Sequence, residues 1–244
     1  MKPFRGTHYL VQAFKLFGRD GGSYIGLMLI STILYLILSM IPSVGSLLTT
    51  LVCAPMVAGV YLFARSRESG NMPEFSVFFG VFSNRHYLSF VAQNIFISLI
   101  TVIAFALAAM WFLGDQLEPL LGALENMQSG KERDVEVALD LLFARDVMLT
   151  TACGLIVSIV TATIYFFAPL FVILRDEGFW PAMESSRKFV ISRFWDVLIM
   201  LLSILLLNVV GVMLCCVGLL VTIPISYLAI YLAFADQILS ESSL

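Results

Sequence analysis

Charged side chains are scarce in this chain of 244 residues, where Asp, Glu, Lys and Arg supply 13% of the total. Soluble domains carry about 25%. The formal net charge of −3 leaves no basic excess that could hold nucleic acid. Cysteine is also sparse, and its four copies form no CxxC pair, so the chain has neither a zinc-site signature nor a disulfide framework. These scarcities exclude a soluble globular enzyme, a disordered chain and a disulfide-stapled secreted module.

Apolar residues dominate instead, at 60% of the chain with a mean hydropathy of +0.96. A helix needs roughly 20 mostly apolar residues to cross a hydrocarbon core of about 30 Å, and six stretches meet that requirement. None of the six contains Lys, Arg, Asp or Glu, each of which costs about 2.5–3.5 kcal/mol at the centre of an inserted helix. Their apolar runs are continuous rather than alternating, which favours helices over barrel strands. We therefore predict an all-α, polytopic membrane protein with a single membrane domain, residues 1–244, and transmembrane helices at residues 24–41, 46–63, 88–113, 147–174, 197–214 and 217–235.

The basic residues predict the orientation of these spans. The N-terminal segment and the connections after the second and fourth spans lie on one side of a six-span arrangement and hold 11 of the 14 basic residues. The connection at residues 114–146 lies on the other side and has three basic and eight acidic residues. The positive-inside rule therefore places both termini in the cytoplasm.

A similar segment precedes the first, third and fifth spans. In each copy an amphipathic stretch ends in phenylalanine, an arginine follows, and aromatic residues lead into the span. The arginines are Arg19, Arg85 and Arg193. Such a segment can lie as a helix in the membrane interface with its arginine near the lipid headgroups. We predict that the six spans form three helical hairpins, each preceded by a short interfacial amphipathic helix at residues 7–17, 74–82 or 181–189. The alternative is that the three segments are similar only because any basic amphipathic loop before a span has such a sequence.

The middle hairpin carries an insertion at residues 114–146. Leucines recur there at helical spacing, and Ser129 with Glu132 fits a capping box, which together indicate a helical hairpin with an acidic outer face. A solvated charge run explains the acidic residues, and a surface that binds a partner or attracts cations is the alternative.

Groups able to do catalysis are absent from the predicted spans, where titratable residues mark functional sites. His8 and His86 lie outside the spans and have no metal-ligand spacing, and the sequence has no nucleophile elbow, phosphate-binding loop or DxD-type carboxylate cluster. We therefore predict no catalytic residue, no metal and no cofactor.

Uncharged polar residues remain inside the spans. Gln93 and Asn94 lie in the third span and Asn208 lies deep in the fifth, where an amide facing lipid would leave polar atoms without hydrogen bonds. We predict that Asn208 faces another helix, bonded to Thr or Ser groups of the fourth span, to Asn94 or to the carbonyl freed near Pro224. A packing role is favoured for these residues, and a substrate pathway is the alternative.

The fourth span carries small residues four positions apart. Gly154, Ser158 and Ala162 form this stripe, and small residues at such spacing let helices approach closely. We predict that the stripe is a helix-packing surface.

The C-terminal third of the chain carries familiar motifs. They include Ala168-Pro169-Leu170-Phe171, Glu184-Ser185-Ser186-Arg187-Lys188, Leu207-Asn208-Val209-Val210-Gly211 and Val217-Gly218-Leu219-Leu220-Val221-Thr222-Ile223-Pro224. Residues 167–236 resemble a broad group of uncharacterised bacterial integral membrane proteins, which includes the membrane domain fused to some glycerophosphodiester phosphodiesterases. The resemblance implies a six-span protein of the bacterial cytoplasmic (inner) membrane. It does not imply phosphodiesterase activity, because the catalytic barrel of the fused members has no counterpart here.

Two classes of function fit this sequence. The favoured one is a non-enzymatic scaffold, regulator or assembly partner that engages membrane lipids, and partner proteins through the acidic outer hairpin or the cytoplasmic amphipathic helices. The alternative is a small transporter or channel for a lipid or an uncharged solute. The absence of charge within the spans argues against ion-coupled transport.

Overall fold

The computed structural model describes residues 6–42, 44–68, 75–83, 85, 87–114, 122, 144–214 and 217–239. Within these ranges every regular element is helical. The α-helices are α1 (Gly6–Ser39), α2 (Gly45–Glu68), α3 (Phe75–Phe79), α4 (Tyr87–Phe112), α5 (Arg145–Ile164), α6 (Ala168–Arg175), α7 (Phe179–Ser192), α8 (Phe194–Met213) and α9 (Leu219–Phe234). A 3₁₀ turn, Gly80–Ser83, follows α3, and a π-helical turn, Ala235–Leu239, follows α9.

Six helical stretches of the described residues are long and apolar enough to cross a membrane. They are Gly6–Ser39, Leu47–Glu68, Tyr87–Phe112, Arg145–Arg175, Phe194–Met213 and Leu219–Ile238. Each overlaps one predicted span, so the prediction of an all-α, multi-pass protein with six apolar helices is confirmed. The predicted outer hairpin, residues 114–146, lies almost wholly outside the described residues.

Two of the apolar helices are preceded by a helical segment that ends at a sharp break. Asp20 interrupts α1 with φ −153° and ψ 40°, and Arg193 separates α7 from α8 with φ −133° and ψ 36°. Asp20 accepts a hydrogen bond of 2.9 Å from Ser23 Oγ, and Asp is a favoured residue at a helix start. The carbonyl of Arg193 accepts the first backbone bond of α8, from Val197 N at 3.0 Å.

The fourth candidate span is interrupted by a turn between α5 and α6. Pro169 lies in the first turn of α6, where its missing N–H costs nothing. The turn leaves the Ile164 carbonyl outside the helical ladder, and this oxygen accepts a hydrogen bond of 2.8 Å from the buried Ser186 Oγ of α7. A buried carbonyl needs such a partner.

The chain divides into two compact units. The first comprises Met1–Asn94 and Ile164–Leu244, and the second comprises Ile95–Thr163. In the first unit, α9 packs against α1, α2 and α8, and its buried aromatic residue Phe234 stacks with Phe167 and meets Phe171 edge to face.

Large apolar side chains also cover much of the exposed surface. Leu88 is 74% exposed, Met110 is 72% exposed and Leu206 is 67% exposed. Extended apolar surfaces of this kind are typical of contact with a membrane or a partner, and they agree with the length and hydropathy of the helices that carry them.

Candidate functional site

Polar side chains from distant parts of the first unit meet where α1, α2 and α9 lie together. This polar cluster comprises Tyr9, Glu68, Arg193, Tyr231, Asp236 and Gln237. The hydroxyl of Tyr9 donates to Asp236 Oδ2 at 2.7 Å and accepts from Gln237 Nε2 at 2.8 Å. Arg193 Nη1 donates to Gln237 Oε1. Tyr9 and Gln237 are both 3% exposed, so this network satisfies polar atoms that water cannot reach.

A second branch of the cluster joins α9 to α2. Tyr231 donates a hydrogen bond of 2.6 Å to Glu68 Oε2. The neighbouring Arg67 forms an ion pair of 2.6 Å with Asp20, at the break in α1. These contacts tie the end of α2 both to α9 and to the point where α1 changes direction.

Two adjoining cavities open beside the cluster. The acidic cavity has a volume of about 310 Å³ and is lined by His8, Tyr9, Gln12, Glu68, Leu232, Ala235 and Asp236. The basic cavity has a volume of about 260 Å³ and is lined by Gln12, Lys15, Leu16, Arg19, Arg67, Glu68 and Leu232. Because Gln12, Glu68 and Leu232 line both, the cavities form one groove.

Helical periodicity places one wall of this groove. His8, Gln12, Lys15 and Arg19 follow one another at intervals of three or four residues, so they share a face of α1. His8 and Gln12 are also in side-chain contact, with their Nε2 atoms 2.9 Å apart. The opposite wall includes Asp236 in the π-helical turn, an irregularity that occurs often at functional sites.

Asn208 lies elsewhere in the first unit, between α8 and α9. Its Nδ2 donates to Ser226 Oγ and its Oδ1 accepts from Thr222 Oγ1, each at 3.0 Å. Nδ2 also bonds the Ile204 carbonyl of its own helix at 2.9 Å. The partner helix is therefore α9, which contains Pro224, one of the three neighbourhoods that the sequence suggested. The bonds go to the Thr222 and Ser226 side chains of that helix, and among the described residues no side-chain hydrogen bond joins Asn208 to the fourth span or to Asn94.

Close backbone approach makes this contact possible. A Cβ on Gly211 of α8 would collide with Thr222 Oγ1, and a Cβ on Gly218 would lie 2.6 Å from the Gly211 carbonyl oxygen. Glycine at these positions lets α8 and α9 come close enough for the short side chains of Asn208 and Thr222 to bond.

Gln93 and Asn94 are adjacent in α4 but have different surroundings. Asn94 Nδ2 donates to the Phe90 carbonyl at 2.9 Å within its own helix. Gln93 is 1% exposed, and neither Nε2 nor Oε1 of its amide has a hydrogen-bond partner in the described part of the chain. The structure does not bring either residue to Asn208 by a hydrogen bond among the described residues.

The small-residue stripe lies in the second unit. Gly154 is buried, and a Cβ there would collide with the Phe105 ring. Ser158 is half-buried and Ala162 is exposed. A spacing of four residues advances by about 40° per step around a helix, so the stripe turns away from the face on which Gly154 lies. Thr161 is buried in place of the exposed Ala162.

Charged side chains of α7 pair locally. Glu184 accepts hydrogen bonds from Arg187 at 2.7 and 2.8 Å and lies 3.4 Å from Lys188 Nζ. The hydrogen bond with Arg187 is the main cause that lowers the pKa of the Glu184 carboxyl from 4.5 to about 2. The pair therefore stays ionised near neutral pH on a partly exposed surface of α7.

Sequence reasoning did not single out the polar cluster. Tyr9 and Asp236 are 227 positions apart, so no local pattern connects them. Two acidic residues gave a signal in the sequence. Asp236 directly follows the sixth apolar run, and Glu68 follows the second one within a few residues. Both stand at ends of predicted spans where the other charged residues are mainly basic.

Among the described residues, no group of three or more His, Cys, Asp or Glu side chains is placed to hold a metal ion. No family model, curated protein or solved structure matches this chain. The function is therefore inferred from the geometry of its own residues.

Proposed function

We propose that this chain is a non-enzymatic integral protein of the bacterial cytoplasmic membrane that acts as a scaffold, regulator or assembly partner. Both termini lie in the cytoplasm, and the helix ends that carry the polar cluster face that side. The distribution of basic residues supports this location, because 11 of the 14 lie on the proposed cytoplasmic side.

The observation that carries the proposal is how polar groups are used along the apolar helices. Thr101 and Ser203 donate to carbonyls of their own helices, Ile97 and Ile199, at 3.0 and 2.8 Å. Asn208 is bonded within α8 and to α9. These groups stabilise helices and their packing. The charged groups and the groove gather at the helix ends instead, which is where a membrane protein meets headgroups and soluble partners.

The same proposal includes three interfacial segments ahead of three hairpins. The segments are residues 6–19, 75–83 and 179–192, and each has large apolar side chains exposed on its surface. These side chains are Val11 and Phe14, Phe79 and Phe82, and Trp180 and Ile191. An amphipathic helix that lies in the interface buries such side chains among lipids.

The surface of α7 is the proposed contact with partners. Lys188 is 71% exposed there, so it is the side chain that a soluble partner meets, whereas Trp180 and Ile191 of the same helix lie among lipids. An exposed charge at an interface steers the encounter with a partner and contributes to its specificity.

Site-specific photocrosslinking in intact cells tests this proposal. A benzophenone amino acid at Lys188 should give one discrete protein adduct, whereas the same group at the exposed, apolar Leu205 of α8 should give only lipid adducts. Identical adducts at the two positions, together with solute flux in proteoliposomes, would contradict a scaffold role.

Gln93 favours transport as a second candidate. Its buried amide without a partner in the described residues suits a polar molecule passing beside α4, since buried polar groups normally bond to something. A flux that is lost in Gln93→Leu and kept in Asn94→Leu would support a transporter.

A further inference from the structure

Two cations of α1 stand side by side in the wall of the basic cavity. Lys15 and Arg19 are four positions apart, so they lie one turn apart on the same face of the helix. Both are exposed, and neither forms an ion pair in the part of the chain that the structure describes. This cavity of about 260 Å³ therefore holds two positive charges that no described carboxylate pairs with.

The other charged groups of the basic cavity already have partners. Arg67 forms its ion pair of 2.6 Å with Asp20. Glu68 accepts the hydrogen bond of 2.6 Å from Tyr231, which leaves the negative charge of the carboxylate in the cavity. When Asp20 is counted, three cations face two carboxylates, so the net formal charge of the site is one positive.

This balance of charges suits an anion with a single negative charge. A phosphate diester carries one such charge, shared by two oxygens that accept hydrogen bonds. Arg19 offers a planar fork of N–H donors and Lys15 offers a compact ammonium, and both kinds of group form charge-assisted hydrogen bonds with phosphate oxygens.

The helical register of α1 sets the level of these cations relative to the lipids. Val11 and Phe14 are the exposed apolar side chains of this segment. At about 100° per residue, the face that carries Lys15 and Arg19 is about a quarter of a turn away from them. A helix that lies flat with Val11 and Phe14 among the acyl chains therefore holds both cations sideways, at the level of the headgroup phosphates.

We propose that the basic cavity binds a phosphate diester with one negative charge, the chemistry of the phosphatidylglycerol headgroup. Lys15 and Arg19 bind the phosphate from the α1 side, whereas the carboxylate of Glu68 weakens the binding. This inference rests on the proposed function, since it needs α1 to lie at the cytoplasmic interface of the membrane.

Native mass spectrometry of the detergent-purified full chain tests the assignment. Three lipids with identical acyl chains are titrated: phosphatidylglycerol, which has a net charge of about −1, and phosphatidylethanolamine and phosphatidylcholine, whose amines neutralise the phosphate. We expect phosphatidylglycerol to bind about tenfold more tightly than the other two, a difference of about 1.4 kcal/mol.

Variants of the cavity separate the contributions of its charges. Lys15→Ala with Arg19→Ala should abolish the preference for phosphatidylglycerol at an unchanged melting temperature, because both side chains are exposed. Lys15→Arg with Arg19→Lys keeps both charges and should keep the preference. Glu68→Gln retains an acceptor for Tyr231 and should strengthen phosphatidylglycerol binding by about threefold, the size of effect that one exposed charge has.

Arg145→Ala is the matched control. Arg145 begins α5 in the second compact unit and lines neither of the two cavities, so its removal should leave all three affinities unchanged. A loss of preference as large as in the double alanine variant would mean that any cation near a helix end attracts the anionic lipid, and would overturn the proposed site.

Equal affinities for the three lipids, or a preference that survives the double alanine variant, would also overturn it. Competition with glycerophosphoglycerol, the same diester without acyl chains, identifies the source of the ligand: displacement of the lipid means that a soluble diester is sufficient, and retention means that the intact lipid is required. Neither result depends on the Lys188 crosslink or on the orientation of the spans, so failure of this site and failure of the proposed function are distinguishable.

Discussion

Tyr231 of α9 and Glu68 of α2 are 163 positions apart, yet the tyrosine hydroxyl donates a 2.6 Å hydrogen bond to the glutamate carboxylate. Beside them, Tyr9 bridges Asp236 and Gln237. Tyrosines from two apolar helices thus hold carboxylates at the end of the first unit. The polar cluster holds helices together, and three of its members, Tyr9, Glu68 and Asp236, also line a cavity.

Tyr9→Phe should destabilise the protein by about 1–3 kcal/mol, the cost of leaving a buried polar group unbonded. The substitution removes the nearer partner of the buried Gln237 Nε2, the Tyr9 hydroxyl at 2.8 Å, and leaves this nitrogen only the long contact of 3.4 Å to Asp236 Oδ2. Tyr35→Phe in the same helix is the control, because Tyr35 is 52% exposed. Free energies of unfolding in mixed detergent micelles should separate the two variants, and equal stabilities would contradict a structural role for the Tyr9 hydroxyl.

Asn208→Leu should lower stability by on the order of 1 kcal/mol, because hydrogen bonds between membrane helices are worth about 0.6 kcal/mol on average. Thr222 and Ser226 lose a partner but remain able to bond within their own helix; Ser226 already donates to the Thr222 carbonyl at 2.7 Å. Ser203→Leu is the control, since the hydrogen bond that Ser203 makes among the described residues goes to the Ile199 carbonyl of its own helix. A loss of function in Asn208→Leu at wild-type stability would indicate a pathway instead of packing.

Gly59→Ala should destabilise the contact between α2 and α3. A Cβ at Gly59 would collide with the backbone carbonyl oxygen of Phe78, and overpacking of this kind costs about 1–3 kcal/mol. Gly18→Ala meets no atom within 4 Å and should be neutral or stabilising by up to about 1 kcal/mol, because alanine favours the helix. Thermal unfolding measures both, and equal melting temperatures would refute the close packing.

The carboxyl of Glu184 should titrate with a pKa of about 2 because Arg187 donates hydrogen bonds to it. Its pKa is depressed, so any stability that it contributes is present above 4.5 and is lost as the pH falls through about 2. NMR of ¹³C-labelled glutamate in micelles can follow this group. In Arg187→Gln the midpoint should rise toward 4.5, and an unchanged midpoint would exclude Arg187 as the cause.

The proposed topology predicts the side from which single cysteines react. In a background without the native cysteines, Ser129→Cys should react with a membrane-impermeant maleimide from outside the cell. Ser242→Cys should react only after permeabilisation. Both positions lie outside the described residues, so the labelling depends on topology alone. Reaction of the Ser242 variant in intact cells would reverse the orientation, and Leu205→Cys should stay unlabelled throughout.

The sequence alone determined the class of the fold. Each of the six apolar helices corresponds to a predicted span, because transfer into lipid depends on hydropathy summed over about 20 consecutive residues, which is a property of the linear chain. The break between α7 and α8 at Arg193 falls where an amphipathic segment gives way to an apolar one, although the sequence did not predict the break itself.

Only the tertiary structure decided which side chains meet. A helix such as α8 is apolar on nearly every side, so its sequence marks no face for its neighbour, and the choice of α9 as the partner of Asn208 depends on the close approach at Gly211. The polar cluster is less accessible still to sequence reasoning, because Tyr9 and Asp236 come from opposite ends of the chain. Periodicity records neighbours within one helix, whereas contacts between helices depend on their rotation and depth, which are set by packing.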